Sequence, residues 1–206
     1  MRAAIVGGSG LVGRALARSL ATDGHDVVVL SRRPDKARGH LPNSVSVAAW
    51  SGTDAGVDAL ARTLDGIDVV VSLAGAPVGP LPWTTRRKAI IASSRVGVAG
   101  AIVDALATLP PDRRPRRLVV VSGVDAYAET AAGPDPAPWT EASPMGDAFL
   151  ARVSRDLEAE ARRGEPLGVS VVRMRMGHVL AADADLVRIL ALPVRLGLGG
   201  RIGSGA

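Results

Sequence analysis

The strongest indication of the fold is the segment Gly7-Gly8-Ser9-Gly10-Leu11-Val12-Gly13, which directly follows a short apolar run, Ala3-Ala4-Ile5-Val6. The run has the composition of a buried β-strand. After the glycines, Ala15, Leu16 and Leu20 continue an apolar stripe with helical spacing. A strand, a glycine-rich turn and an amphipathic helix in this order predict the first βα unit of a parallel sheet.

Strand-like runs alternate with helical patterns along the whole chain. Strands are predicted at Ala3–Val6, Val27–Leu30, Val45–Ala48, Val69–Leu73, Leu118–Val121 and Val169–Arg173. The longest helix is predicted over residues 84–108. Continuous apolar runs indicate strands that are buried on both faces, as in a parallel sheet covered by helices. The sequence therefore predicts an α/β fold of Rossmann type, a doubly wound parallel sheet with helices on both faces.

Composition excludes several classes of site. The 206 residues are 47% apolar and contain no cysteine, so neither disulfides nor thiolate metal sites are available. The three histidines, His25, His40 and His178, lack metal-ligand spacing, and we expect no metal site. Neither a secretory signal nor a membrane span is evident, so a cytoplasmic protein without a membrane partner is expected.

The formal charge of +5 raises the question of nucleic acid. The arginine clusters are scattered over the chain, lie at the ends of predicted elements and lack interleaved aromatic residues. We therefore expect no nucleic-acid partner. The oligomeric state is left open by the sequence.

The glycine loop has the chemistry of a dinucleotide site. A tight turn needs a residue without Cβ, a pyrophosphate must reach backbone N–H groups, and the last glycine, Gly13, allows close packing of helix and strand. The anion then lies at the positive end of the helix that starts near Gly10. We predict that Gly7, Gly8, Ser9, Gly10, Leu11, Val12 and Gly13 bind the cofactor.

The end of the second strand indicates which dinucleotide is bound. It reads Leu30-Ser31-Arg32-Arg33, with no acid before Asp35. An Asp or Glu at this position would bind the ribose 2′-hydroxyl of NAD, whereas an arginine can pair with a 2′-phosphate. Ser31, Arg32 and Arg33 therefore favour NADP(H) over NAD(H). The alternative is that both arginines are ordinary solvated loop charges.

The chain resembles the short-chain dehydrogenase/reductase superfamily, within it the atypical epimerase-like proteins labelled NAD-dependent epimerase/dehydratase or nucleoside-diphosphate-sugar epimerase. The resemblance covers all 206 residues. The motifs that carry it are Gly7–Gly13, Ser72–Pro77, Trp83-Thr84, Arg87-Lys88, Ser94-Arg95, Val121–Tyr127, Gly146–Ala151, Arg175–Leu180 and Leu196–Gly200. It implies that Leu73, Ala74 and Gly75 pass under the riboses of the cofactor and that Ser122 faces the nicotinamide.

The usual catalytic pair of the superfamily is missing. Active members pair the serine with Tyr-x-x-x-Lys on the next helix, where this chain has Phe149 and Val153. Spacing predicts that these two residues belong to an apolar core stripe with Leu157 and Ala161. Ser122 and Tyr127 remain as catalytic candidates, each weighed against a purely structural role.

The resemblance also implies a substrate and a domain arrangement. Lys88, at the start of a helix, is a candidate to bind an anionic substrate. Residues 1–165 form the expected NAD(P)-binding core, and residues 166–206 the last core strand and the start of an incomplete substrate-binding subdomain. We expect an NADP(H)-binding epimerase, dehydratase or reductase-like protein acting on a small polar molecule such as a nucleotide sugar. The alternative is a dinucleotide-binding sensor or scaffold without catalysis.

Overall fold

The structure, a computed structural model, describes residues 1–52, 56–79, 82–127 and 138–200. The strands are β1 Arg2–Val6, β2 Asp26–Ser31, β3 Ser46–Ala49, β4 Val69–Ser72, β5 Arg117–Gly123 and β6 Ser170–Met176. The helices are α1 Leu11–Thr22, α2 Pro34–Arg38, α3 Val57–Leu64, α4 Thr85–Ala92, α5 Val98–Thr108, α6 Phe149–Arg162 and α7 Asp185–Arg195. A π-helical segment, Ser93–Gly97, joins α4 to α5. These elements confirm the predicted alternation of strands and helices.

The six strands form one sheet in the order β3-β2-β1-β4-β5-β6. β1 lies between β2 and β4, and Val6 is in register with Leu30 on one side and Ser72 on the other. The neighbouring pairs from β3 through β5 are parallel. The carboxyl ends of these strands consequently meet at one edge of the sheet, where α/β folds bind their ligands.

The core has two parts, one on each face of the sheet. On one face, Leu60 of α3 and Ile102 of α5 are buried in a cluster with Val70 of β4. On the other face, Ala17 of α1 packs in a second cluster with Val29 of β2. Helices therefore cover both faces, which confirms the predicted Rossmann-type architecture.

The predicted helix over 84–108 is present as α4, the π-helical segment and α5. Over Thr85–Thr108 it is long and apolar enough to span a membrane by length and composition, which corrects the prediction that no such segment is present. Eight of the eleven residues of α5 are nevertheless buried in the protein. Its apolar surface is therefore used by the core, as in other central helices of α/β proteins.

The chain divides into two compact units after Arg175. The first unit, Met1–Arg175, contains the sheet up to the penultimate residue of β6. The second unit begins at Met176 and contains α7, in which Ile189 and Leu192 are exposed. The predicted division after residue 165 falls before β6.

Candidate functional site

Three glycines of the loop are required by the packing of the protein itself. Gly7 has a φ of +81°, and a Cβ there would lie 2.9 Å from the Ala74 nitrogen. A Cβ on Gly8 would lie 2.7 Å from the Val29 side chain, and one on Gly13 would lie 2.5 Å from the Gly8 Cα. Such distances are below van der Waals contact, so a larger residue at Gly7 or Gly8 would push the loop away from the end of β4 or from β2, and one at Gly13 would push α1 away from the loop.

Gly10 differs from the other three because the protein leaves space beside it. It is exposed, its φ of −75° suits any residue, and a Cβ would meet only the Gly7 oxygen, at 3.4 Å. Gly10 is also the N-cap of α1, which has no side-chain cap and no acidic residue in its first turn. The first N–H groups of a helix, here from Leu11 to Gly13, have no intrahelical acceptor. An anion fits this open, positively polarised end of α1.

The end of β2 lies next to the loop and carries two exposed guanidinium groups. Gly7 follows Val6, the register partner of Leu30, so Ser31 is its neighbour across the strands. The Ser31 hydroxyl accepts a hydrogen bond from the Arg33 amide at 3.2 Å, which shapes the turn. In the described residues, the side chains of Arg32 and Arg33 make no hydrogen bond or ion pair. Both are therefore available to a second anionic group near the loop.

The loop after β4 is held by the π-helical segment. The Ala76 amide donates to the Ser94 hydroxyl at 2.9 Å, and the Arg95 guanidinium donates to the Ala76 carbonyl at 3.0 Å. A Cβ on Gly75 would lie 2.8 Å from the Arg95 Cζ, so the guanidinium rests against this glycine. The wide turn of a π-helix, which is frequent at functional sites, directs both side chains to the loop.

Arg95 keeps a charged group in a poorly hydrated position. Burial lowers the pKa of its guanidinium, an effect that the Asp125 carboxylate opposes and the nearby Arg87 charge reinforces. An arginine still remains protonated at neutral pH. Arg95 therefore places a permanent positive charge behind the loop from Leu73 to Ala76.

A buried acid binds Ser122 at the end of β5. The Ser122 hydroxyl donates to Glu158 Oε1 at 2.8 Å, and Arg175 holds the same carboxylate with two hydrogen bonds of 3.0 Å. Glu158 is 4% exposed and Ser122 is 8% exposed. Because a carboxylate only accepts hydrogen bonds, the proton of Ser122 points to α6 and can no longer be donated to a substrate.

Electrostatics keep this acid ionised. Burial acts to raise the pKa of Glu158, but hydrogen bonds from Arg175 and Ser122 act in the opposite direction and hold the pKa below its ordinary value. The hydrogen bonds to Glu158 in turn raise the pKa of Arg175. The pair is therefore fully charged at neutral pH.

Tyr127 lies between this pair and a tryptophan. The Arg175 Cζ is 4.9 Å from the centre of its ring, a cation–π distance, and the ring of Trp139 stacks on it with centroids 5.2 Å apart. Tyr127 and Ser122, the two catalytic candidates, thus share a contact with the Glu158–Arg175 pair.

The first two turns of α6 carry Phe149 and Val153, the residues at the positions of the usual tyrosine and lysine. Val153, Leu157 and Ala161 are buried, which confirms the core stripe for those three positions. Phe149 is only half-buried: its ring meets that of Trp83 edge-to-face, with centroids 5.6 Å apart. The prediction of a fully packed face was therefore wrong at Phe149.

Lys88 lies next to Phe149. Its Nζ is 5.4 Å from the centre of the Phe149 ring. The side chain is exposed and makes no ion pair with any residue that the structure describes. Its ammonium is therefore free for an anionic ligand. Over the described ranges there is no group of three or more His, Asp or Glu residues that could hold a metal ion.

Comparison with known proteins assigns the chain to a family. The family model described as "NAD dependent epimerase/dehydratase family" matches residues 3–185. The chain belongs to that family. Its fold is accordingly the one on which epimerases and dehydratases of this type are built, and the resemblance inferred from the motifs is confirmed.

Two relatives align with the whole of the chain. Epimerase family protein SDR39U1 of Bos taurus is 33% identical over 100% of the chain and 63% of its own length. A chloroplastic homologue from Arabidopsis thaliana is 30% identical over 100% of the chain and 56% of its own length. The chain therefore spans less than two thirds of the length of these relatives.

A solved relative supports the same assignment. The crystal structure of human epimerase family protein SDR39U1 with NADPH is 30% identical, has a TM-score of 0.76, and is covered over 63% of its length by the whole of this chain. The fold of the chain thus matches that of a protein crystallised with a dinucleotide.

Ligand-binding roles of the glycine loop, the end of β2 and Lys88 stay predictions, and the sequence indicated no role for Glu158 or Trp139, which the structure places beside Ser122 and Tyr127. Arg95 and Arg175 had been noted only as parts of motifs. Their roles depend on which loop or strand each side chain meets, and that information is absent from the spacing along the chain.

Proposed function

We propose that this chain binds NADP(H), with the pyrophosphate at the amino end of α1 and the 2′-phosphate at Arg32. The observation that carries this proposal is Gly10, whose missing side chain serves no contact within the protein and opens the uncapped helix end to a ligand. Leu73, Ala74 and Gly75 lie across the loop from Gly7, where they would flank the same ligand.

The end of β2 supports NADP(H) over NAD(H). Asp35, the nearest acid, lies in α2 and pairs with Arg38 at 3.1 Å, so it is engaged away from the strand end. Arg32 and Arg33 are exposed there, with Ser31 beside them. The similar human protein crystallised with NADPH is in line with this preference.

Titration calorimetry with NADPH and NADH tests the cofactor assignment. A hydrogen bond to a charged group contributes about 1.5–3 kcal/mol, so NADPH should bind roughly tenfold to 150-fold more tightly. Arg32→Ala should remove most of this difference and leave the NADH affinity unchanged. Arg62→Ala is the matched control, because Arg62 is an exposed arginine on α3. Equal affinities of the unmodified protein for both dinucleotides would refute the assignment.

We further propose that the protein is an epimerase, dehydratase or reductase acting on a small polar substrate with an anionic group, such as a nucleotide sugar. The bound cofactor supplies or accepts a hydride at its nicotinamide ring. Lys88 binds the anionic group, since its ammonium is exposed and unpaired within the described residues. Tyr127, fixed by stacking on Trp139, forms part of the pocket wall.

The alternative is an NADP(H)-binding protein without catalysis, which Phe149 and Val153 favour because neither side chain transfers a proton. Absorbance at 340 nm with NADP⁺ and UDP-glucose or UDP-glucuronate, together with product analysis, separates the two functions. Turnover that falls at least tenfold in Lys88→Gln, and is retained in the control Arg86→Gln, supports the enzyme. Saturable NADPH binding without any turnover supports the alternative. The small-molecule substrate, the absence of nucleic-acid and membrane partners, and the cytoplasmic location stay predictions.

A further inference from the structure

Five side chains form a continuous chain of contacts at the carboxyl ends of β5 and β6. Ser122 donates to Glu158, Glu158 accepts from Arg175, Arg175 lies over the ring of Tyr127, and Tyr127 stacks on Trp139. Four backbone segments are joined in this way: the end of β5 with the turn after it, the segment that carries Trp139, α6, and the end of β6.

The central ion pair, between Glu158 and Arg175, is unusual because both of its charged groups are largely removed from water. Glu158 lies within α6 and is 4% exposed, and the Arg175 side chain is 16% exposed. Removing two charges from water offsets much of their attraction, so a buried pair adds little stability compared with apolar residues of the same size. A role in fixing neighbouring groups accounts for the pair better than stability does.

Both carboxylate oxygens of Glu158 accept hydrogen bonds in this arrangement. Oε1 accepts hydrogen bonds from Ser122 Oγ and Arg175 Nε, and Oε2 accepts one from Arg175 Nη2. The two parallel hydrogen bonds from Nε and Nη2, the fork, therefore hold the guanidinium of Arg175 in one orientation. A planar guanidinium can hold a carboxylate with its edge and an aromatic ring with its face, whereas an ammonium has neither geometry.

We propose that Arg175, anchored by Glu158, is a positioning residue that fixes the Tyr127 ring in the wall of the cofactor pocket, while Glu158 orients Ser122 so that its oxygen only accepts hydrogen bonds from a ligand. The location of this wall at the nicotinamide end of the ligand rests on the proposed function. The positioning itself depends only on the contacts of Arg175.

A single tyrosine makes the test direct. Tyr127 is the only tyrosine of the 206 residues, so labelling with 3-fluorotyrosine gives one ¹⁹F resonance. Stacking on Trp139 displaces that resonance through the ring current of the indole. In Arg175→Lys, which keeps the charge but loses the fork and the flat face, the resonance should move toward that of the free amino acid and broaden. Arg163→Lys is the matched control, because Arg163 forms exposed ion pairs next to α6.

Each outcome bears on the proposal. A resonance that is unchanged in folded Arg175→Lys overturns it. Should that variant fail to fold, Glu158→Gln takes its place, since the amide keeps the size but cannot hold the fork, and an unchanged resonance there overturns the proposal equally. Adding NADPH to the unmodified protein should move the same resonance. Binding of NADPH without any such movement overturns the location of the wall, while failure of NADPH to bind refutes the proposed function and leaves the Arg175→Lys result to decide the positioning.

Discussion

The glycines of the loop face different surroundings, and two substitutions should therefore separate ligand binding from folding. Gly10→Val places a side chain at an exposed position with φ −75° and ψ 174°, where the nearest atom is the Gly7 oxygen. The loss of glycine flexibility in the unfolded chain stabilises by about 0.4–1 kcal/mol, and the poorer N-cap costs about 1 kcal/mol. The net change in stability should stay within about 1 kcal/mol, or roughly 4 °C in Tm.

Binding should respond much more strongly to the same change. The valine methyl groups occupy the space through which a phosphate reaches the N–H groups of Leu11 and Val12. Losing one hydrogen bond to a charged group costs about 1.5–3 kcal/mol, so the affinity for NADPH should fall roughly tenfold to 150-fold. The opposite pattern is expected for Gly13→Ala, in which the loss of stability should exceed the loss of NADPH affinity. The reason is that its Cβ would lie 2.5 Å from the Gly8 Cα. Such overpacking costs about 1–3 kcal/mol, or roughly 2–12 °C in Tm.

Calorimetric titration with NADPH and thermal unfolding followed by circular dichroism measure both effects on the same samples. NADPH affinity in Gly10→Val equal to that of the unmodified protein would show that the phosphate does not approach the helix end beside Gly10. An unchanged Tm in Gly13→Ala would show that the close approach of Gly13 to Gly8 does not constrain the loop.

Three further predictions concern the carboxyl edge of the sheet. The double variant Phe149→Tyr with Val153→Lys should melt at lower temperature and gain no NADPH oxidation, because the lysine replaces a buried valine and loses its hydration; new turnover would show that this face of α6 opens to the substrate. Glu158→Gln should lower the free energy of unfolding in urea by about 3 kcal/mol at pH 7. Since the pKa of Glu158 lies below its ordinary value, the difference from the unmodified protein should persist above about pH 4.3 and shrink as the pH falls further. A constant difference down to pH 2 would contradict this. Ser94→Ala removes the hydrogen bond that holds the Ala76 amide, which contributes about 1 kcal/mol, and should weaken NADPH binding about fivefold. Equal affinities would contradict a role of this hydrogen bond in holding the loop after β4.

The fold was predictable because its signals are local. Runs such as Val69-Val70-Val71 can bury both faces only in a covered sheet, and the structure places them at its centre as β4. The last strand extends to Met176, three residues beyond the predicted end at Arg173. Its side chains alternate between half-buried and exposed, so the apolar run that signals a central strand is absent there.

The candidate site was predictable only where its chemistry follows from a single segment. The glycine loop satisfies this condition. Glu158 does not satisfy it. It forms a buried face of α6 with Ala151, Ser154 and Ala161, at spacings of three and four. Two of these four residues are polar, so the sequence pattern is typical of a solvent-exposed helix face. Hydrogen bonds from Arg175 at the end of β6 and from Ser122 at the end of β5 stabilise the buried acid, and strand neighbours cannot be inferred from helical spacing.

The arginines of the carboxyl edge differ in burial, and this difference indicates how they are used. Arg95 directs its guanidinium to the Ala76 carbonyl, and Arg175 directs its own to Glu158. A guanidinium that is already hydrogen-bonded within the protein would have to give up those bonds to bind a phosphate, so neither is a good ligand for the cofactor. Arg32 is exposed and has no such partner among the residues that the structure describes. Arg95 and Arg175 therefore hold neighbouring groups of the protein in place, and the NADP(H) site proposed above leaves the exposed Arg32 to bind the 2′-phosphate.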